Sequence, residues 1–202
     1  VLELAFQGWR APAEPAPAPP VAAAATVPEH FLTAELPGDE LDSLATWPTE
    51  DGAVWLVASA KNVHQLLVFD ADSGELLRRV GGRGDGPGQF LRPNGVFVHG
   101  DLLLVSERDN RRVQMFDLPG FQPLGSFGQG LLRSPYGLWA YEPAPDQLDV
   151  YVSDSFMHGP AFDVVPPLHE LDRRVRRFRL RLDDDGLPRV QAAGAFGDTS
   201  HE

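Results

Sequence analysis

Residues 93–117, PNGVFVHGDLLLVSERDNRRVQMFD, carry the reading that decides the fold. Leu102-Leu103-Leu104-Val105-Ser106 is a short apolar run, the pattern of a buried inner strand. Val113-Gln114-Met115-Phe116 alternates, the pattern of a half-exposed strand. Between them Glu107-Arg108-Asp109-Asn110-Arg111 is a polar turn, and Asp117-Leu118-Pro119-Gly120 closes the next hairpin.

Outward from this unit, its pieces return in the same order. Pro93-Asn94-Gly95-Val96 returns as Pro135-Tyr136-Gly137-Leu138, and Val105-Ser106-Glu107 as Val152-Ser153-Asp154. Val68-Phe69-Asp70 precedes Gln114-Met115-Phe116-Asp117, and Val80-Gly81 returns as Phe127-Gly128 and Phe196-Gly197. A repeat of about 40–50 residues is the mark of a β-propeller, in which each unit is one blade. An antiparallel sandwich with similar hairpins is the alternative; order-preserving recurrence of four elements argues against it. The expectation is an all-β chain, a partial β-propeller of three to four blades. Propellers typically close with about four to eight blades, so further blades are expected to follow.

Hydrophobic residues make up 43% of the 202 and charged residues 23%, a globular composition. The net charge of −12 argues against a nucleic-acid partner, whose binding surfaces are basic. No stretch is long and apolar enough for a membrane span. There is no cysteine, which excludes disulfides and thiolate metal sites. Residues 1–30 read as an N-terminal segment and linker, with Ala11 to Ala25 almost wholly Ala and Pro, extended and solvated. Residues 31–202 form the incomplete propeller domain. A linker of this kind suits an exported protein, secreted or periplasmic; a disordered tail on a cytosolic protein is the alternative. Met157 to Leu171 is a long insertion carrying His158, Asp163, His169 and Glu170. After it, Arg173 to Leu182 alternates arginine with apolar residues and reads as an outer strand with one solvated face.

Two resemblances attach to these residues. Gly84-Asp85-Gly86-Pro87-Gly88-Gln89-Phe90, Pro93-Asn94-Gly95-Val96 and Leu104 to Asp117 resemble an NHL repeat. From about Phe31 onward the chain also resembles the first half of bacterial phytase-like proteins, relatives of six-bladed, calcium-dependent propeller phytases. Asp42-Ser43-Leu44-Ala45-Thr46-Trp47, Ala58-Ser59-Ala60-Lys61, Glu107 to Arg111, Pro135 to Leu138, Asp172-Arg173-Arg174 and Gly194 to Thr199 carry that likeness. It implies a six-bladed ring, with Lys61 and Arg108 contacting phosphate, Tyr136 matching a site tyrosine, and Asp42 and Asn94 helping to hold calcium. The sequence departs from that pattern at Ser43, Leu44 and Val96, and has Asp154-Ser155 where the phytases place a lysine.

Position alone gives a related expectation. Asp42, Lys61, Asn94, Glu107, Arg108, Tyr136 and Asp154 sit at comparable blade positions, so they converge on the mouth of a central channel. Lys61 is the sole lysine among seventeen Lys and Arg. Phosphomonoester hydrolysis needs an activated water and cations on the phosphate oxygens. The expected roles are Lys61, Arg108 and Tyr136 as catalytic groups and Lys61, Arg108 and Arg111 as contacts to a phosphorylated small molecule. Asp42, Asn94, Glu107 and Asp154 are the expected calcium ligands. The other function consistent with the sequence is a non-catalytic NHL-type propeller that binds a ligand or protein.

Overall fold

The computed structural model describes residues 26–183 and 187–199. The chain divides into two units, Val1–His30 and Phe31–Glu202. The expected linker, Ala11 to Ala25, lies outside the described residues. The second unit holds three four-stranded antiparallel sheets, each a simple meander. Blade one is β1 (Leu41–Pro48), β2 (Val54–Ala60), β3 (Gln65–Asp70) and β4 (Leu76–Val80). Blade two is β5 (Pro93–His99), β6 (Leu102–Glu107), β7 (Arg112–Asp117) and β8 (Gln122–Phe127). Blade three is β9 (Pro135–Ala144), β10 (Gln147–Asp154), β11 (Val175–Leu182) and β12 (Pro188–Phe196). Three separate sheets of consecutive strands are propeller blades and exclude the sandwich. No helix among the described residues is long and apolar enough to cross a membrane.

Successive side chains on a strand point to opposite faces, and blade two buries both. Leu103 and Val105 face blade one, packing with Trp47, Val57, Leu66, Val68, Phe90 and Phe116. Leu104, Val113 and Met115 face blade three, packing with Phe127, Val150, Val152 and Phe178. A strand covered on both sides reads as an unbroken apolar run, which is why Leu102–Val105 is all aliphatic. Each such side chain contributes roughly 1.5–3 kcal/mol when fully buried.

This corrects three strand expectations. The innermost strands are β1, β5 and β9, which run beside one another from blade to blade, so Leu102–Ser106 lies in the second strand rather than the inner one. Val113–Phe116 is buried throughout, not half-exposed, because β7 lies mid-sheet with blades on both sides. Arg173–Leu182 contains β11, the third strand rather than the outermost. The insertion between β10 and β11 holds a bridge from His158 to Val164 and a short 3-10 helix, Leu168–Arg173.

A serine near the end of each second strand aligns the blades. Ser59, Ser106 and Ser153 accept the backbone N–H of Ser43, Gly95 and Gly137, respectively. Ser59 then donates to the carbonyl of Asn94, and Ser106 to the carbonyl of Tyr136, so these two hydroxyls tie their own inner strands to the next blade's. The close approach explains Gly95, where a Cβ would stand 2.5 Å from the Tyr136 carbonyl oxygen. The device brings Asp42, Asn94 and Tyr136 to matching positions at the starts of the three inner strands.

Candidate functional site

At this end of the inner strands Lys61 follows β2 and is 9% exposed. Its ammonium donates to the Tyr136 hydroxyl at 2.9 Å and lies 3.2 Å from an Asp42 carboxylate oxygen. Lys61 thereby joins blade one to blade three, across the inner strand of blade two. Burial alone would depress the Lys61 pKa, but the hydrogen bonds to Tyr136 and Asp42 outweigh it and hold the group above the ordinary lysine value. Glu40 lies 4.0 Å from the same ammonium and 3.4 Å from Arg92, extending the cluster outward.

On β5, between these partners, Asn94 is 1% exposed and its side-chain nitrogen has no hydrogen-bond partner. A buried, unpaired amide costs roughly 1–3 kcal/mol. Unsatisfied donors of this kind point to a polar group that completes them.

Of the remaining expected site residues, Glu107 and Asp154 are engaged elsewhere. Glu107 is wholly buried, and its carboxylate accepts from Leu91 N–H at 3.0 Å, Asn110 at 2.6 Å, Arg112 at 2.6 Å and Gln114 at 2.8 Å. Arg112 also donates to the carbonyls of Asp85, Gly86 and Gln89, while Gln114 bonds Gly88 N–H and the Gln89 carbonyl. This network locks the glycine-rich segment before β5. Asp154 is buried and caps Arg133 and Ser134 N–H. Burial pushes its carboxyl above the usual carboxylate range, against the pull of those two bonds. Arg108 pairs with its neighbour Asp109 at 2.7 Å and is partly exposed. Arg111 is exposed in the turn between β6 and β7.

Calcium takes six to eight oxygen ligands, and the four side chains expected to supply them do not fit that need. Asp42 is committed to Lys61, and Glu107 and Asp154 to N–H donors. Among the described residues no group of three His, Asp or Glu is placed to hold a metal ion.

Sequence reasoning missed Glu40 and Arg92 at the clamp, and Arg112 and Gln114 in the brace. The brace carried a signal: two polar residues two apart lie on one face of an otherwise apolar strand. From the insertion, His158 and Glu170 meet Arg133, with His158 at 3.0 Å and Arg133 at 2.6 Å from the same Glu170 oxygen. Asp163 and His169 do not join them. On β11, Arg177 and Arg179 both pair with buried Asp149, and Arg181 bonds Gln147, so this arginine strip is tied into its own sheet.

A family model described as a 6-bladed beta-propeller, DUF5128, matches residues 50–134. No curated protein matches the chain. Among solved structures, Kuenenia stuttgartiensis hydrazine synthase is similar at 16% identity and TM-score 0.50, over 86% of this chain and 41% of that one. A putative exported protein from Bacteroides fragilis is similar at 14% identity and TM-score 0.45, over 83% of this chain and 47% of that one. The chain therefore spans less than half the length of these structures. At such identities the likeness concerns the fold alone. The three meandering sheets and the family match together make the chain a partial β-propeller.

Proposed function

We propose that the starts of the three inner strands form the receiving site for a phosphorylated small molecule, in a propeller of phytase-like kind. The carrying observation is Lys61, the chain's only lysine, nearly buried and held between Asp42 and Tyr136 on two different blades. Beside it the unpaired Asn94 amide offers a donor. Arg92 and Arg108 supply further cations, each in a partly exposed pair with an acid. Exposed pairs are worth only about 0–1 kcal/mol, whereas a hydrogen bond to a charged group contributes roughly 1.5–3 kcal/mol. A phosphate therefore has the advantage in drawing these guanidinium groups toward itself.

Binding is common to a phosphomonoester hydrolase and a non-catalytic receptor, and phosphate release separates them. Because the described side chains do not by themselves build a calcium cage, the binding step rests on the cations and the Asn94 amide. Titration with inositol hexakisphosphate should show binding that Lys61→Met weakens about ten- to a hundredfold. Lys61→Arg should restore part of it. No binding by the wild-type protein, or unchanged binding by Lys61→Met, would sink the proposal. Phosphate release in the same samples, with and without added calcium, then decides between hydrolase and receptor. The Ala/Pro-rich segment supports an exported setting, secreted or periplasmic, and recovery of the protein solely from the cytosolic fraction of its host would contradict that.

A further inference from the structure

We propose that a cleft between blades two and three, at the opposite end of the strands from Lys61, binds a small organic cation with an apolar body. Strand register separates the two places. In the β5–β6 hairpin, Pro93 pairs with Glu107 at the Lys61 end, while His99 pairs with Leu102 at the other. The cleft opens at this second end and has a volume of about 350 Å³, within the ordinary range of small-molecule sites.

Its floor is apolar. Leu102, Leu124, Leu148 and Leu180 line it, drawn from β6, β8, β10 and β11. All four belong to the core that joins the two blades, and Leu148 and Leu180 are 7% and 3% exposed. The floor is therefore preformed, and a ligand need not order it.

Its rim is acidic. Asp101, Asp117, Glu142 and Asp146 stand around it, against the single guanidinium of Arg181, which is tied to Gln147 at 2.7 Å. Two of these acids have partners: Asp101 accepts the Trp47 indole N–H at 3.0 Å, and Glu142 lies 3.4 Å from His99. Asp117 and Asp146 are exposed, and their carboxylates have no hydrogen bond or ion pair among the described residues. An anion is repelled by such a rim. A small hydrated cation gains nothing from the leucines, and a neutral apolar molecule leaves the carboxylates unused. An alkylammonium or arylammonium matches both parts, its charge at Asp117 and Asp146 and its body on the leucine floor.

Calorimetric titration with hexylammonium, 1-hexanol and hexanoate tests this. Hexylammonium should bind most tightly and lose affinity as sodium chloride is raised, since exposed charges are screened. The double variant Asp117→Asn, Asp146→Asn should weaken it about tenfold. Both positions are exposed, so thermal unfolding should be unaltered. Absence of hexylammonium binding, equal binding of 1-hexanol or hexanoate, or unchanged binding by a folded double variant would each overturn the proposal.

Discussion

Glu107 and Lys61 are both charged, both buried, and placed at matching ends of the second strands of adjacent blades, yet their surroundings differ in kind. Glu107 collects its donors from its own blade and from the segment leading into it. Lys61 takes one partner from its own blade and another from blade three, next to an amide that has none. A buried charge saturated by neighbours in its own unit fixes local structure. One that spans blades beside an unfilled donor couples separate units of the repeat. Adjacent positions in the repeat, one residue apart, thus carry unlike roles, and nearness to the strand end alone could not separate them.

The largest effect should come from breaking the Glu107 brace. Glu107→Ala leaves the Arg112 guanidinium, 10% exposed, without its carboxylate. Stripping one partner from a buried ion pair costs about 3–5 kcal/mol. Urea unfolding should show a loss of that size, and protection of amide hydrogens in residues 81–92 should fall with it. A loss below about 1 kcal/mol, within the range of an exposed pair, would mean the brace is not what holds the segment.

A smaller loss should follow from the blade-joining serines. Ser106→Ala strands the Gly95 N–H, which is buried, and the Tyr136 carbonyl, which is partly buried, on different blades. Unsatisfied buried groups cost roughly 1–3 kcal/mol. Among the described residues Ser153 donates to Gly137 of its own inner strand alone, at 3.2 Å, so Ser153→Ala should cost less. Equal losses, measured by urea unfolding, would show that joining neighbouring blades adds nothing to the bond within a blade.

The sequence made the blades legible because each repeats the same four physical demands in order: an inner-strand turn, an apolar strand, a polar turn and a closing glycine. It misled on which strand is innermost. Apolar runs mark strands covered on both faces, and those are the second and third strands of each blade. The innermost strand borders the channel and is less uniformly apolar, as Pro93–His99 is. At the site, the meeting of Asp42, Lys61 and Tyr136 was legible from matching repeat positions. The removal of Glu107 and Asp154 from it was not, because their donors include backbone N–H groups of Leu91, Arg133 and Ser134, which leave no side-chain pattern to read.

The smallest effect tests the Lys61 clamp through alkaline pH. A lysine whose folded pKa is raised contributes stability that is fully present below its unfolded value, about 10.4. That contribution is lost as pH rises through the folded value. Lys61 is raised because its bonds to Tyr136 and Asp42 outweigh its burial. Wild-type stability should therefore fall above the ordinary lysine pKa by an amount that Lys61→Met lacks. With no other lysine in the chain, no second ammonium side chain loses its proton in that range. The difference between the two urea midpoints, measured below and above that pKa, isolates the clamp and should be smaller than the Ser106→Ala loss. If the midpoints of wild type and Lys61→Met fall in parallel, the ammonium is not held by its partners. The contrast with Glu107 would then reduce to one braced charge and one loose one.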